Sequence, residues 1–201
     1  MDKYAELEGT MSDETTQCWM RDLFTTNMDI FFKAFFPQIY QKCTNSFTQI
    51  SPKYFNHFTD QLHEGVNIGV RTTKDEEDII FFIHVLLPNM PTNDLNERIQ
   101  NTKITIENHF LHPVIPIIVA LEANTKTTEI IDTSEMLSVH ILKSEIENYL
   151  QDGNIVALAL LYKYIFTENE RYLYSFDIFR KVVQMQANLK ERNSFYQFFL
   201  T

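Results

Sequence analysis

Apolar residues recur at helical spacing between Glu14 and Cys43, at Trp19, Leu23, Ile30, Phe31, Ala34 and Phe35. Polar Thr25, Thr26 and Asn27 interrupt them, so the stretch predicts two helices or one kinked helix, with Pro37 marking a bend or a helix end. Residues 1–15 are polar and are expected to fray. In "SPKYFNHFTDQL", Ser51 suits an N-cap and Pro52 the first helical position.

The period then changes from helical to two. Val66 to Thr73 alternates apolar and polar residues, "KDEED" reads as a polar turn, and Ile79 to Leu87 is a second apolar strand; together they predict a hairpin closed by Pro88 and Pro91. Asn93 to Phe110 reads as a helix, with Asn93 as its cap and Ile99, Ile106 and Phe110 on one stripe. The nearly continuous apolar run His112 to Ala123 predicts a strand buried on both faces and reached by a βαβ crossover. "TTEIIDTS" and "MLSVHILK" are candidates for a fourth strand or a further hairpin. Helical patterns follow over Ser144–Leu150, Ile155–Phe166, Glu168–Ala187 and Lys190–Leu200. The order predicts an α/β fold with a small mixed sheet flanked by helices. Residues 16–201 are expected to form one domain, with its core over about 31–143 and a helical part over about 144–201.

Composition narrows the function. Of 201 residues only 4 are glycine, and no G-x-G-x-x-G or G-x-x-x-x-G-K-[ST] pattern appears, which argues against a phosphate-cradling loop. The net charge of -10 opposes nonspecific binding to a phosphate backbone. Cys18 and Cys43 form neither a C-x-x-C nor a zinc pattern; both are expected to be buried or half-buried thiols. "MDKYAELEGT" lacks an apolar signal region, and apolar runs of about ten residues are too short to cross a bilayer. The expectation is a soluble, intracellular (cytoplasmic) protein without a membrane partner.

Four stretches carry a family resemblance. Phe31–Tyr40, "FFKAFFPQIY", is similar to an "FFFPEI"-type opening. Gly69–His84 is similar to a hairpin that ends in "IH". Glu97–Ile99, "ERI", is similar to "ERM" at the start of the next helix, and His112–Leu121, "HPVIPIIVAL", to "RPVVSLAVL" at a matching distance. In this order and spacing, Phe31 to Ala123 resembles the recombination-promoting nuclease / putative transposase family of the PD-(D/E)XK nuclease superfamily. The resemblance implies a sheet of restriction-endonuclease-like type, possession of a mobile-element ancestry, and, in active members, phosphodiester hydrolysis with Mg²⁺ held by two acids.

The acids such a site needs are missing. The family's second strand reads I-H-[IV]-E-x-Q, whereas this chain reads Ile83-His84-Val85-Leu86-Leu87-Pro88. The acid position falls on Leu86 and the Gln/Lys position on Pro88, or on Val85 and Leu87 after a shift of one. The upstream acid maps near Gly65, beside Glu64, and an earlier one near Phe55. The resemblance therefore implies a catalytically inactive nuclease-like protein with no cofactor, whose vestigial site face carries Glu64, His84 and Arg98. It would act as a binding module for a protein partner or as a homo-oligomer, with nucleic-acid binding left open.

Two other functions are compatible with the sequence. One is a metal-dependent endonuclease with relocated acids, Glu64 with Asp78 or Glu122, which alone would call for Mg²⁺. The other is an acidic inhibitor or nucleic-acid mimic, suggested by charge. Without such a function the sequence predicts a solvated turn for Asp75–Asp78, a core histidine for His84, a surface position for Glu122, and no metal site at His57, Asp60 and His63. His109 and His112 are expected to satisfy helix-end carbonyls. The aromatic segments "RYLYSFDIFRKVV" and "SFYQFFL" pack on the sheet or form a partner surface.

Overall fold

The computed structural model describes residues 13–44, 46–59, 62, 65–87, 94–121 and 136–185. Three helices open it: α1 (Asp13–Thr26), α2 (Met28–Phe35) and α3 (Pro37–Lys42). The helix thus begins inside the stretch expected to fray. The Thr25–Asn27 interruption divides α1 from α2. Pro37 acts as a bend by starting α3 at its first position, where its missing N–H costs nothing. Next come β1 (Thr48–Gln49), α4 (Pro52–Phe55) with a 3-10 turn over Asn56–Phe58, the hairpin β2 (Val66–Lys74) and β3 (Glu77–Leu86), α5 (Leu95–Phe110), β4 (Val114–Leu121) and β5 (Leu137–Ile141). Helices α6 (Ile146–Asp152), α7 (Ile155–Tyr164) and α8 (Glu168–Met185) follow.

The fold is mixed α/β, and its five strands lie in the order β1-β2-β3-β4-β5. β1, β2 and β3 pair antiparallel in succession, while β3, β4 and β5 run parallel. α5 is the crossover between parallel β3 and β4, as the βαβ expectation required. β5 joins as a parallel strand, not as part of a hairpin. β4 tolerates Pro116 because its pairing with β5 begins only at Ile117.

Period two sends the strand residues to opposite faces. On one face Val66, Ile68, Val70, Phe81, Ile83, Val85, Ile117, Val119 and Ile141 pack with α1, α2 and α7. On the other, Ile80, Phe82, Leu86, Ile118 and Ala120 pack with Phe55 of α4 and Leu95, Ile99 and Ile106 of α5. α7 is apolar all round because it is buried from Ile155 to Leu161. Its start is fixed by Asn154, itself buried, whose Oδ1 accepts from Ala157 N at 3.1 Å. Asn154→Ala is expected to lower stability by about 1–2 kcal/mol, read as a shifted urea midpoint at unchanged slope.

Several local expectations need correction. The hairpin turn has two residues, not five: Lys74 pairs with Glu77, and Asp75 and Glu76 both take positive φ, 49° and 70°. Ser51 holds the N-cap position of α4 but makes no side-chain capping bond. Cys18 is exposed, not buried, while Cys43 is half-buried as expected. His109 does not cap α5: its ring packs on Phe58 at 4.7 Å and meets the Tyr54 hydroxyl. His112 lies 3.1 Å from Arg71 Nη2. Asn93, "TTEIIDTS" and Lys190–Leu200 fall outside the described residues.

Candidate functional site

The site face implied by the sequence lies at the end of the hairpin away from its turn. β3 carries His84 there, on the α5 side of the sheet, directly opposite Asn67 of β2. Both side chains are buried among apolar neighbours, His84 at 1% exposure and Asn67 at 7%. A buried polar pair persists only if its members satisfy one another. They do: His84 Nδ1 and Asn67 Oδ1 are 2.7 Å apart, and Asn67 Nδ2 donates to Leu62 O at 3.0 Å.

These contacts fix the histidine's tautomer. With the Asn67 amide nitrogen committed to Leu62, its Oδ1 is the acceptor, so Nδ1 of His84 carries the proton. Nε2 is then a bare lone pair, buried and without a hydrogen-bond partner among the described residues. Burial first, and the nearby Arg98 charge second, push the imidazole pKa down to about 4. His84 is therefore neutral at pH 7. The structure brings His84 and Arg98, in the first turn of α5, into electrostatic contact. Glu64 is outside the described residues, so the third member of the expected face has no described position.

Gly65 closes the other side of the ring. It takes φ +105°, and a Cβ there would stand 3.0 Å from His84 Cε1 and 2.4 Å from Val85 O. The close approach of backbone to imidazole needs a residue without a side chain.

Beside this pair, the outer edge of β2 has no strand partner among the described residues. β1 and its flanks reach β2 only from Gly69 to Lys74. The next outward carbonyl, Asn67 O, accepts from Nε of Arg21 on α1 at 3.2 Å. Arg21 Nη2 also donates to Gln17 Oε1 at 3.2 Å and to Asn56 Oδ1 at 3.1 Å. All three partners are neutral oxygens, and burial lowers the guanidinium pKa. Arg21, Asn56, Gly65 and Asn67 line a small open cavity of about 150 Å³. Neither Arg21 nor Asn67 was singled out from the sequence. The available signal was Asn67, a polar residue at an inward position of an apolar strand.

The positions that the resemblance assigns to acids are core residues. Phe55 is fully buried, its ring 5.9 Å from that of Phe82 and pressed on Gly69, where a Cβ would lie 2.5 Å from the ring. Leu86 is buried under α5, Val85 is buried on the opposite face, and Leu87 is half-buried. None of these side chains offers an oxygen to Mg²⁺, and among the described residues no group of three His, Cys, Asp or Glu side chains could hold a metal ion.

Two acids of the hairpin, Asp78 and Asp75, are committed elsewhere. Asp78 accepts from Arg71 and, at 2.8 Å, from Thr73, and these bonds hold its carboxyl below the usual range. It lies six residues along β3 from His84, roughly 20 Å away at strand rise. Asp75 pairs with Lys42 and Lys74 on the turn. No described helix is long and apolar enough to cross a membrane.

No family model, no curated protein and no solved structure matches this chain.

Proposed function

We propose that this protein is a catalytically inactive nuclease-like scaffold of PD-(D/E)XK type that works by binding, with another protein as its partner. The observation that carries the reading is the burial of Phe55 and Leu86. The positions where a nuclease of this type would place metal-binding carboxylates are filled by side chains that close the core beneath α5. Reversing that exchange would put charge into an apolar layer. The hairpin, helix and parallel strand succeed one another in the order that the resemblance leads one to expect, and the polar remnant is a neutral His84–Asn67 pair with Arg98 close by.

The described residues do not fit a resident Mg²⁺ ion, so no hydrolytic step is assigned to them. The expected result is that highly purified protein leaves supercoiled plasmid intact with Mg²⁺ or Mn²⁺, and that Glu64→Gln behaves identically. Nicking that is lost in Glu64→Gln would replace this reading with an endonuclease whose acids have moved.

A further inference from the structure

Arg21 carries more hydrogens than the described fold uses. A guanidinium has five N–H donors in a fixed fork. Nε donates to Asn67 O, and Nη2 donates to Gln17 Oε1 and Asn56 Oδ1. Among the described residues Nη1 donates to none, so both of its hydrogens are left over. The three acceptors are neutral oxygens, and no described carboxylate pairs with this half-buried cation. A cation drawn partly out of water among neutral partners gains most from an anion.

The two amides beside Arg21 add to the same polarity. Gln17 Oε1 and Asn56 Oδ1 accept from Nη2, so the amide nitrogens are the groups these side chains have left to offer. Both residues line the cavity of about 150 Å³ together with Arg21. Thr59, on the same wall, gives its hydroxyl hydrogen to Asn56 O at 3.2 Å, so the charge of the cavity is set by Arg21.

Size and charge select the anion. At about 30 Å³ per water in the liquid, the cavity has the room of about five waters, enough for one carboxylate on a short stem. The chain carries -10 overall, and that field opposes a phosphate dianion about twice as strongly as a carboxylate monoanion. A carboxylate also has two oxygens to place. One can accept from Nη1 and the other from a flanking amide, and the bond from Nη1 is of the stronger, charge-assisted kind.

We propose that Arg21, with the side-chain amides of Gln17 and Asn56, forms a binding site for a single carboxylate group. The same chemistry comes free on a small organic acid or carried on an aspartate of another protein, and titration with one of each separates the two sources. The site stands apart from the loss of nuclease chemistry: a plasmid assay could fail or succeed without changing it.

Acetate titrated into the full chain at about pH 7.5 and constant ionic strength is expected to move the side-chain amide NMR signals of Gln17 and Asn56, and to saturate. Arg21→Lys should weaken acetate by about 10-fold or more, because an ammonium does not present the guanidinium's planar fork. Asn56→Asp provides a second reading if Arg21→Lys folds poorly. It keeps the oxygen that accepts from Nη2 and sets a carboxylate beside Arg21, so the Gln17 signal should no longer respond, while the circular dichroism melt is unchanged or raised. N-acetylaspartate amide binding more tightly than acetate would assign the site to a side chain of a partner protein; the reverse order would assign it to a free acid. Four results would overturn the inference. They are an equal response to chloride, phosphate binding more tightly than acetate, an acetate response that survives both Arg21→Lys and Asn56→Asp, and saturation that appears only in Asp60→Asn or Glu64→Gln. The last would mean that a carboxylate of the chain itself holds the site.

Discussion

Gly65→Ala is expected to lower the folding free energy by about 3–5 kcal/mol, enough to leave a domain of this size largely unfolded in mild denaturant. Two separate costs meet at this residue. Its φ of +105° lies where an L side chain is strained. Its Cβ would also be 2.4 Å from Val85 O, a backbone oxygen held in place because Val85 pairs with Val66 in the sheet. Neither neighbour can step aside: the carbonyl belongs to the central hairpin, and the His84 ring behind it is fastened to Asn67. Gly69→Ala makes a useful contrast. There the obstruction is the Phe55 ring alone, with no positive φ, so the expected loss is smaller, about 1–3 kcal/mol. Urea unfolding followed by circular dichroism compares the two. A loss below about 1 kcal/mol for Gly65→Ala would mean that β2 begins in a way that leaves room beside the imidazole.

Acid should weaken the fold well before carboxylates titrate. His84 has a pKa of about 4 in the folded chain and 6.5 as an ordinary imidazole. Between these values the unfolded chain binds a proton that the folded chain refuses. The contribution of neutral His84 is therefore fully present above the ordinary value and is lost as pH falls from 6.5 toward 4. The slope is about 1.4 kcal/mol per pH unit, or about 3 kcal/mol across the window. Asp78 acts at lower pH: hydrogen bonds from Arg71 and Thr73 depress its carboxyl, so its contribution is lost only as pH falls below the ordinary carboxylate value. Urea midpoints in the wild type should hold level from pH 7.5 to about 6.5 and then fall steadily to pH 4.5. His84→Gln keeps a donor for Asn67 Oδ1 and removes the titration, so its midpoints should stay flat over the same range. Parallel slopes in the two proteins would assign the acid sensitivity to other groups.

Much of the framework was readable because binary patterns report burial. α5 buries one side and β2 alternates apolar with polar or glycine positions, and their boundaries lie within a few residues of the periodic segments. β3 and β4 bury both faces, so the pattern gave the strands but not their sides; the direction of His84 had to come from register. Register depends on the turn, and a two-residue turn built from Asp75 and Glu76 lacks the glycine or asparagine that usually marks one. That is why the pairing of Asn67 with His84 was not legible. Arg21 was hidden for another reason: two of its three partners are 35 and 46 residues away, and no local pattern encodes them. β1 is only two residues long and leaves no period to find. On α8, buried Ile178 and Val182 and exposed Tyr172 and Phe176 look in sequence like one thick core-facing stripe, and only the exposed fractions separate them.

The contact between Arg21 and Asn67 has a consequence for how this protein lives at high concentration. An open strand is a template on which another chain can grow, and sheets commonly guard such places with charge. Here the guard is a cation from a different element. An incoming strand would have to take the Asn67 carbonyl from Arg21 and leave a half-desolvated guanidinium facing Gln17 and Asn56 alone. Helix α1 therefore limits polymerisation of the sheet as well as covering its core, and its local fraying would be the step that exposes the protein to strand exchange.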